Sequence, residues 1–285
     1  MGDTGGRLYV VATPIGNLED ISPRARRILA EVDVVLAEDT RHTKRLLNRI
    51  GISARLEALH EHNESQRVET LADRVAAGEV VALVSDSGTP LVSDPGYRLV
   101  DALRARDLPV YPVPGPSAVI AALSVGGLPT DRFVFEGFLP ARAGPRRKRL
   151  QELAEETRTL VFFEAPHRVL ASLADMVAVF GGQRPGTLAR ELTKLFETVR
   201  RAPLGQLYDW VSADADQQRG EVVLLVAGAE PRDDSGESAE RVLSVLLAEL
   251  PPSQAVRLAR RITGEKRNRL YEMASRMAHD RGPAP

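Results

Sequence analysis

Three short stretches carry the residue types that let a ligand lie against bare backbone: Thr13-Pro14-Ile15-Gly16-Asn17, Ser85-Asp86-Ser87-Gly88-Thr89-Pro90 and Pro114-Gly115-Pro116-Ser117-Ala118. Each follows a short apolar run, and each is small, polar or turn-forming. Ligands of open α/β sheets bind in the crevice outside the carboxyl ends of the strands. A turn explains each glycine and proline singly, but not why three such loops gather at the strand ends of one domain. The middle loop also carries a carboxylate, Asp86, where its strand stops. His60-Glu61-His62 has metal-ligating types but no clear third ligand, so hydrogen bonding within a loop is the better reading and no metal site is expected. The G-x-G-x-x-G, G-x-x-x-x-G-K-[ST] and G-x-S-x-G motifs are absent. With no cysteine there is no thiolate nucleophile and no cysteine-metal site.

The elements that must position these loops read as alternating strands and helices, which predicts a mostly parallel sheet. Strands are expected at 8–12, 32–37, 80–84 and 110–113. Residues 80–84, five apolar residues in a row, suit a strand buried on both faces. Helices are expected at 22–31, with Pro23 in the first turn, at 40–49, at 66–77 after a polar loop 60–65, at 97–106 and at 117–125. Ser93 or Asp94 reads as the N-cap of the helix at 97–106, with Pro95 at its first position. Residues 126–131 read as a hinge. Beyond it, strands at 133–137, 159–164, 187–190, 196–200 and 221–227 alternate with helices at 146–156, 168–180 and 204–212. Two strands close together near 191–198 predict a mixed sheet. Residues 229–238 read as a polar, flexible linker. A helical tail follows: 239–250, then Pro251-Pro252, a helix capped by Ser253 to about 262, a turn at Gly264, and a helix at 265–277. The expected fold is therefore α/β, with a mostly parallel domain over 1–125, a mixed second domain over 126–228, and a helical tail over 239–281.

The chain has 285 residues and a net charge of −1, so any nucleic-acid binding must use local patches. Two such patches stand out. Residues 142–149 hold five basic residues and no acid, and the tail from Pro251 is rich in arginine. A charge run is usually a solvated face, but segregation of basic residues in a chain of near-zero net charge favours a phosphate-backbone partner. No apolar run is long enough to span a bilayer, and residues 1–11 lack the pattern of a signal peptide. A cytoplasmic protein is expected.

Six segments together resemble one family: LYVVATPIGN from Leu8, AEDTRHTKRL from Ala37, VSDSGTPLVSDPG from Val84, VPGPSA from Val113, VFFEAPHR from Val161 and RELTKLFET from Arg190. They are similar to the ribosomal RNA small subunit methyltransferase I family of the tetrapyrrole-methylase superfamily. The resemblance implies two α/β domains with S-adenosyl-L-methionine between them, a homodimer, and methyl transfer to the ribose 2′-oxygen of a cytidine in the decoding region of 16S rRNA or the small ribosomal subunit. Cofactor contacts carried over by position fall on Pro14, on Val84, Ser85, Asp86 and Thr89, on Ser117 and Ala118, and near Glu164 and Ala189. One departure is visible: the superfamily's Gly-Gly-Asp-Pro type of loop reads Val84-Ser85-Asp86-Ser87 here, and the Gly126-Gly127 pair makes the expected hinge look flexible.

Methyl transfer from a sulfonium is an in-line displacement in which the donor is already activated, so positioning is the main demand. A ribose hydroxyl also needs a proton acceptor. Polar residues expected around the cleft are Glu38, Asp39, Arg41, Glu164, His167, Arg168, Arg190, Glu191 and Lys194. Lys194, Glu38 and Glu164 are the candidate catalytic groups, Lys194 only if burial or a nearby cation lowers its pKa. The cations expected to meet RNA are Arg41, Arg168, Arg190, Arg146, Arg147, Lys148, Arg257, Arg261, Lys266 and Arg267. Ion pairing within the protein explains most of these residues equally well. A methylase of small tetrapyrrole-type molecules would need no basic tail, and a non-catalytic RNA-binding protein would need no cluster of ligand-type loops.

Overall fold

The structure, a computed structural model, describes residues 5–230 and 234–280. They fall into two compact units, Met1–Gly228 and Ala229–Pro285. In the first unit the chain runs β1 (Arg7–Val11), α1 (Pro23–Glu31), β2 (Val34–Ala37), α2 (Thr40–Arg49), β3 (Leu56–Ala58), α3 (Glu61–Ala76), β4 (Val80–Val84), α4 (Tyr97–Ala105), β5 (Val110–Val113) and α5 (Ala118–Gly126). It continues through β6 (Phe133–Phe138), α6 (Ala143–Glu152), β7 (Thr159–Glu164), α7 (Val169–Phe180), β8 (Pro185–Arg190), β9 (Thr198–Pro203), α8 (Leu204–Ala213) and β10 (Val222–Val226).

The first sheet has the order β3-β2-β4-β1-β5 and is parallel throughout. Every residue of β2 is buried, and four of the five in β4, because helices cover both faces. One face packs on α1 and α2 through Ala25, Leu29 and Leu47. The other packs on α3 and α4 through Leu71, Val75, Leu99 and Leu103. Burial on both faces is what makes these strands read as unbroken apolar runs. The second sheet, β6-β7-β10-β8-β9, is mixed: β6 and β7 are parallel, and every other pair is antiparallel. Its outer face carries α6, α7 and α8. Its inner face, through Val161, Ala189, Val223 and Leu225, packs on α5 and Ile15.

The first residue of the expected hinge is part of that inner packing. Gly126 is the last residue of α5, its carbonyl accepts from Thr187 Oγ1 at 2.7 Å, and a Cβ there would come within 2.2 Å of Leu225 Cδ1. It is glycine because α5 presses backbone against β10, while Gly127, at φ 68°, ends the helix in the left-handed conformation.

Helix α3 starts at Glu61, so most of the expected polar loop 60–65 is helical. Asn63 Oδ1 accepts from the His60 amide at 2.9 Å and fixes the entry. The second unit holds α9 (Asp234–Glu249), α10 (Pro252–Thr263) and α11 (Arg267–Asp280), joined around Leu243, Val256, Leu270 and Met273. Residues 234–238 of the expected linker are helical, and 231–233 lie outside the described residues. Pro251, not Ser253, is the N-cap of α10, and Gly264 closes it at φ 73°.

Candidate functional site

Strands β4, β1 and β5 end level with one another: Val11 is in register with Val84 on one side and with Val113 on the other. Their three loops therefore leave the sheet side by side and are tied together. Thr13 and Gly88 exchange backbone hydrogen bonds at 2.8 and 3.1 Å. Ser85 Oγ donates to the Gly88 carbonyl at 3.1 Å, and Thr89 Oγ1 donates to the Pro116 carbonyl at 3.0 Å. Gly88 sits at φ 84°, a conformation that favours glycine.

Beside these loops lies a cavity of about 380 Å³. The first sheet contributes Ile15, Asp86, Gly88, Thr89, Asp94, Ser117 and Ala118. The second contributes Phe138, Phe163, Glu164, Ala189, Leu192 and Glu221, with backbone at Gly220. Four carboxylates line it, and no lysine, arginine or histidine does. Of the expected cofactor residues, Asp86, Thr89, Ser117, Ala118, Glu164 and Ala189 line the cavity. Val84 is core beneath it, Ser85 is buried within the loop, and Pro14 is adjacent to the lining residue Ile15.

The structure corrects the reading of Asp94. Helix α4 begins after Gly96, and neither Ser93 nor Asp94 caps it. The cap comes from α3. Glu64 Oε1 accepts from the amides of Gly96, Arg98 and Leu99 at 3.1, 3.0 and 3.4 Å. The carboxylate so placed satisfies amides at the positive end of the helix. The loop before α4 is then free to bend into the cavity, with Leu91 at φ 72° and Ser93 at φ 69°. Non-glycine residues held there mark a conformation imposed by the surroundings. Asp94 lines the cavity. Burial, with the Glu38 and Asp86 carboxylates nearby, pushes its carboxyl up to about 6, against the opposing effect of the neighbouring Ser85 hydroxyl. Glu38 is pushed up as well, first by partial burial and then by Asp86.

Two other expected catalytic groups are engaged elsewhere. Glu164 accepts from the Ala165 amide at 2.8 Å, from Arg168 Nε at 2.9 Å and from Ser172 Oγ, which leaves its buried carboxylate a hub of hydrogen bonds. Lys194 Nζ lies 2.9 Å from Glu191 Oε1 and 3.1 Å from Glu221 Oε2. Partial burial works against its charge, but the two carboxylates outweigh it and hold the ammonium above its ordinary pKa, which favours the charged form and works against a role as base. Its stem packs over Gly16, where a Cβ would meet Lys194 Cγ at 2.4 Å, and Thr193 Oγ1 accepts from the Asn17 amide at 3.1 Å. The 191–197 loop thus fastens the second sheet to the first β-strand loop.

The basic residues also divide. Arg190 is buried and donates to the carbonyls of Phe196 and Arg219 and to Thr198 Oγ1, holding the 191–197 loop in place. Arg146 is buried against Asp175, with 2.7 Å from Nε to Oδ2. Both guanidinium groups are turned into the protein, with Arg190 Nε buried and without a hydrogen-bond partner among the described residues, so neither is placed on the surface where RNA was expected to meet it. Arg168 is tied to Glu164 at 2.8 Å. Arg147 shares Asp175 but stays largely exposed, Lys148 is exposed, and Arg41 is 84% exposed with Asp39 at 3.4 Å. In the second unit Arg257, Arg261, Lys266 and Arg267 are exposed, and Arg267 lies over the Tyr271 ring at 5.4 Å. His60, Glu61 and His62 form no metal-binding group, and none is present among the described residues.

A parallel and a mixed sheet meeting at a ligand cavity agree with a family model. The model of the tetrapyrrole (corrin/porphyrin) methylases matches residues 7–208. The chain belongs to the tetrapyrrole methylase family. Residues 233–278 of this methylase match a second model, the RsmI C-terminal HTH domain. Among similar proteins, the ribosomal RNA small subunit methyltransferase I of Pseudomonas aeruginosa is 58% identical over 95% of this chain and 97% of its own. That of Escherichia coli O157:H7 is 52% identical over 94% of each. In fold, the methylase resembles the methyltransferase CobJ, with a TM-score of 0.58 at 21% identity over 79% of this chain and 95% of that one. It also resembles a uroporphyrin-III C-methyl transferase from Thermus thermophilus complexed with S-adenyl homocysteine, with a TM-score of 0.54 at 21% identity over 78% and 97%.

Proposed function

We propose that this methylase transfers a methyl group from S-adenosyl-L-methionine to the ribose 2′-oxygen of a cytidine in 16S rRNA, in the decoding region of the small ribosomal subunit. The observation that carries this reading is the similarity to ribosomal RNA small subunit methyltransferases I along nearly the whole of both chains, with the C-terminal unit included.

The cavity residues fit the cofactor. Its volume lies within the range of small-molecule sites. A wall with four carboxylates and no cation suits a ligand that carries positive charge on sulfur and on an amine. When bound, S-adenosylmethionine supplies an already activated methyl group. Asp86 and Asp94 offset its charge, since Glu164 and Glu221 are already paired with Arg168 and Lys194. Gly88, Thr89 and Ser117 present backbone and small polar groups, and Phe163, Ala189 and Leu192 supply apolar wall. The ribose hydroxyl must pass its proton on as the new oxygen–carbon bond forms. Asp94, which lines the cavity and is pushed up to about 6, is the carboxyl group placed to take it; Glu38, outside the cavity lining, is also raised above its ordinary value. RNA contacts fall to the exposed cations Arg41, Arg147, Lys148, Arg257, Arg261, Lys266 and Arg267. The enzyme acts as a homodimer in the cytoplasm in this reading. Exposed Ile120 and Val125 on α5 offer apolar surface for a second copy, and no helix among the described residues is long and apolar enough to cross a membrane.

The test is transfer of tritiated methyl from S-adenosylmethionine to small ribosomal subunits and to a tetrapyrrole precursor in parallel. Label in 16S rRNA, at a ribose that then resists alkaline cleavage, is expected. Label in the tetrapyrrole alone overturns the reading.

A further inference from the structure

Several cations on one helix layer of the first sheet are paired with carboxylates. On the α3–α4 side, Arg67 and Arg74 are paired with Glu57, Arg74 also with Glu79, and Arg106 with Glu69 and Asp73. On the opposite side, α2 reads TRHTKRLLNR and contains no acid. Thr43 and Leu47 turn inward. Arg41, Lys44, Arg45 and Arg49 are exposed; Arg41, Arg45 and Arg49 follow one another at intervals of four, and Lys44 stands three residues after Arg41. Among the described residues, Lys44, Arg45 and Arg49 have no carboxylate within ion-pair distance, and Arg41 has only Asp39 at 3.4 Å. Free cations in a row oppose one another, so a surface of this kind is stabilised by an anionic partner.

Two of these cations, Arg41 and Lys44, line a groove, and Arg45 and Arg49 stand outside it. Between α2 and the edge strand β3 lies a hollow of about 420 Å³, with Arg41, Lys44 and Asn48 on the helix side and Ser53 on the other. The groove therefore offers cations together with neutral hydrogen-bonding groups, the pairing that takes hold of phosphate and sugar. It is also physically linked to the cavity. Asp39 caps α2, accepting from the Arg41 amide at 2.8 Å, and its own amide donates to Asp86 Oδ1 at 3.2 Å. Asp86 lines the cavity. One hydrogen bond thus separates the start of the basic helix from the wall of the methyl-transfer site.

We propose that the α2–β3 groove is a phosphate-binding seat for the RNA strand, holding the nucleotides beside the one that enters the cavity. This rests on the reading of the protein as an rRNA methyltransferase and adds a site to it. Binding energy from a part of the substrate that does not react positions the part that does. The groove and the cavity divide the work by charge, the groove cationic for the backbone and the cavity acidic for the cofactor.

Two variants test it: the double variant Arg41→Gln, Lys44→Gln, which removes the two cations that line the groove, and the single variant Asn48→Glu, which puts an acid in the groove and removes no cation. All three side chains are exposed, and circular dichroism and thermal melting check the fold. Binding to a 16S rRNA fragment is measured from 50 to 200 mM salt, a range over which phosphate contacts are read out by about 10³–10⁵ in affinity for a full set. S-adenosylmethionine binding is measured by calorimetry, and methyl transfer on small subunits. The double variant is expected to flatten the slope of log affinity against log salt by about 1.4–1.8, since each lost phosphate contact is worth about 0.7–0.9. Asn48→Glu is expected to weaken RNA binding at least about tenfold at the lower salt. Both should bind the cofactor as the wild type does. An unchanged slope together with unchanged RNA affinity of Asn48→Glu overturns the groove. Failure of the wild type to methylate subunits would instead overturn the functional reading beneath it.

Discussion

Replacing Asp94 by asparagine keeps the shape of a side chain on the cavity wall and removes its charge. The carboxyl is raised from its ordinary 3.8 to about 6, by burial first and then by Glu38 and Asp86. A carboxyl raised in this way binds its proton more tightly in the folded protein than in the unfolded chain. Stability contributed by that proton is full below about pH 4, is lost as the pH rises to about 6, and stays lost above it. The whole elevation corresponds to about 3 kcal/mol. Solvent reaching the half-buried carboxyl lowers the expected effect to ~1–2 kcal/mol. An asparagine side chain has nothing to ionise, so Asp94→Asn should match the wild type near pH 4 and exceed it by ~1–2 kcal/mol at pH 7 and above. Methyl transfer should fall by at least about tenfold, a gain in stability at the expense of activity. The assay is urea unfolding of both proteins between about pH 4 and pH 8, with transfer measured on the same preparations. A variant that is less stable than the wild type at pH 7, by the ~1 kcal/mol of a lost helix cap, would refute the reasoning, as would a stability difference that does not change with pH.

Two further outcomes follow from the same geometry. Glu64→Ala removes the acceptor of three helix-end amides and should cost about 2–3 kcal/mol, seen as a drop in melting temperature of roughly 4–12 °C, while Asp94→Ala gives no such drop. Lys194→Gln should keep kcat/KM within about tenfold of the wild type, with an unaltered profile between about pH 7 and pH 10. Loss of a general base would instead cost about 10²–10⁴, and a loss of that size would restore Lys194 to the catalytic role.

The strands and their loops were legible because their determinants are local. Buried parallel strands are apolar along their length, and the loop residues after 11, 84 and 113 are small or turn-forming in the sequence itself. Strand β3, only Leu56–Ala58, is too short to show a pattern. The start of α3 was missed because the apolar face of that helix begins at Val68, seven residues after Glu61. The site was legible where backbone shape decides, as at Thr89, Ser117 and Ala118. It was not legible where a side chain's role depends on a partner far along the chain. Asp94 reads as a cap until Glu64, thirty residues earlier, is seen to hold the helix. Arg146 reads as an RNA contact until Asp175 is found beside it. Glu221 gave no local signal at all. Its place on the cavity wall comes from the antiparallel pairing of β10 with β7 and β8.

The Glu64 cap also separates two kinds of mutational freedom. In most loop-to-helix junctions the residues before the helix must both begin it and do whatever else the loop does, so changing one disturbs the other. Here α4 is begun by a residue on a different helix, and residues 91–94 have no part in holding it. A library randomised at 92 and 94 should therefore yield mostly folded proteins that differ in what the cavity accepts, while the same randomisation at 64 should yield proteins destabilised by the ~2–3 kcal/mol of the lost cap. In this protein the chemistry of the cavity can drift or be redesigned at a loop whose failures still fold, because the structural obligation has been moved to a helix that contributes nothing to the cavity wall.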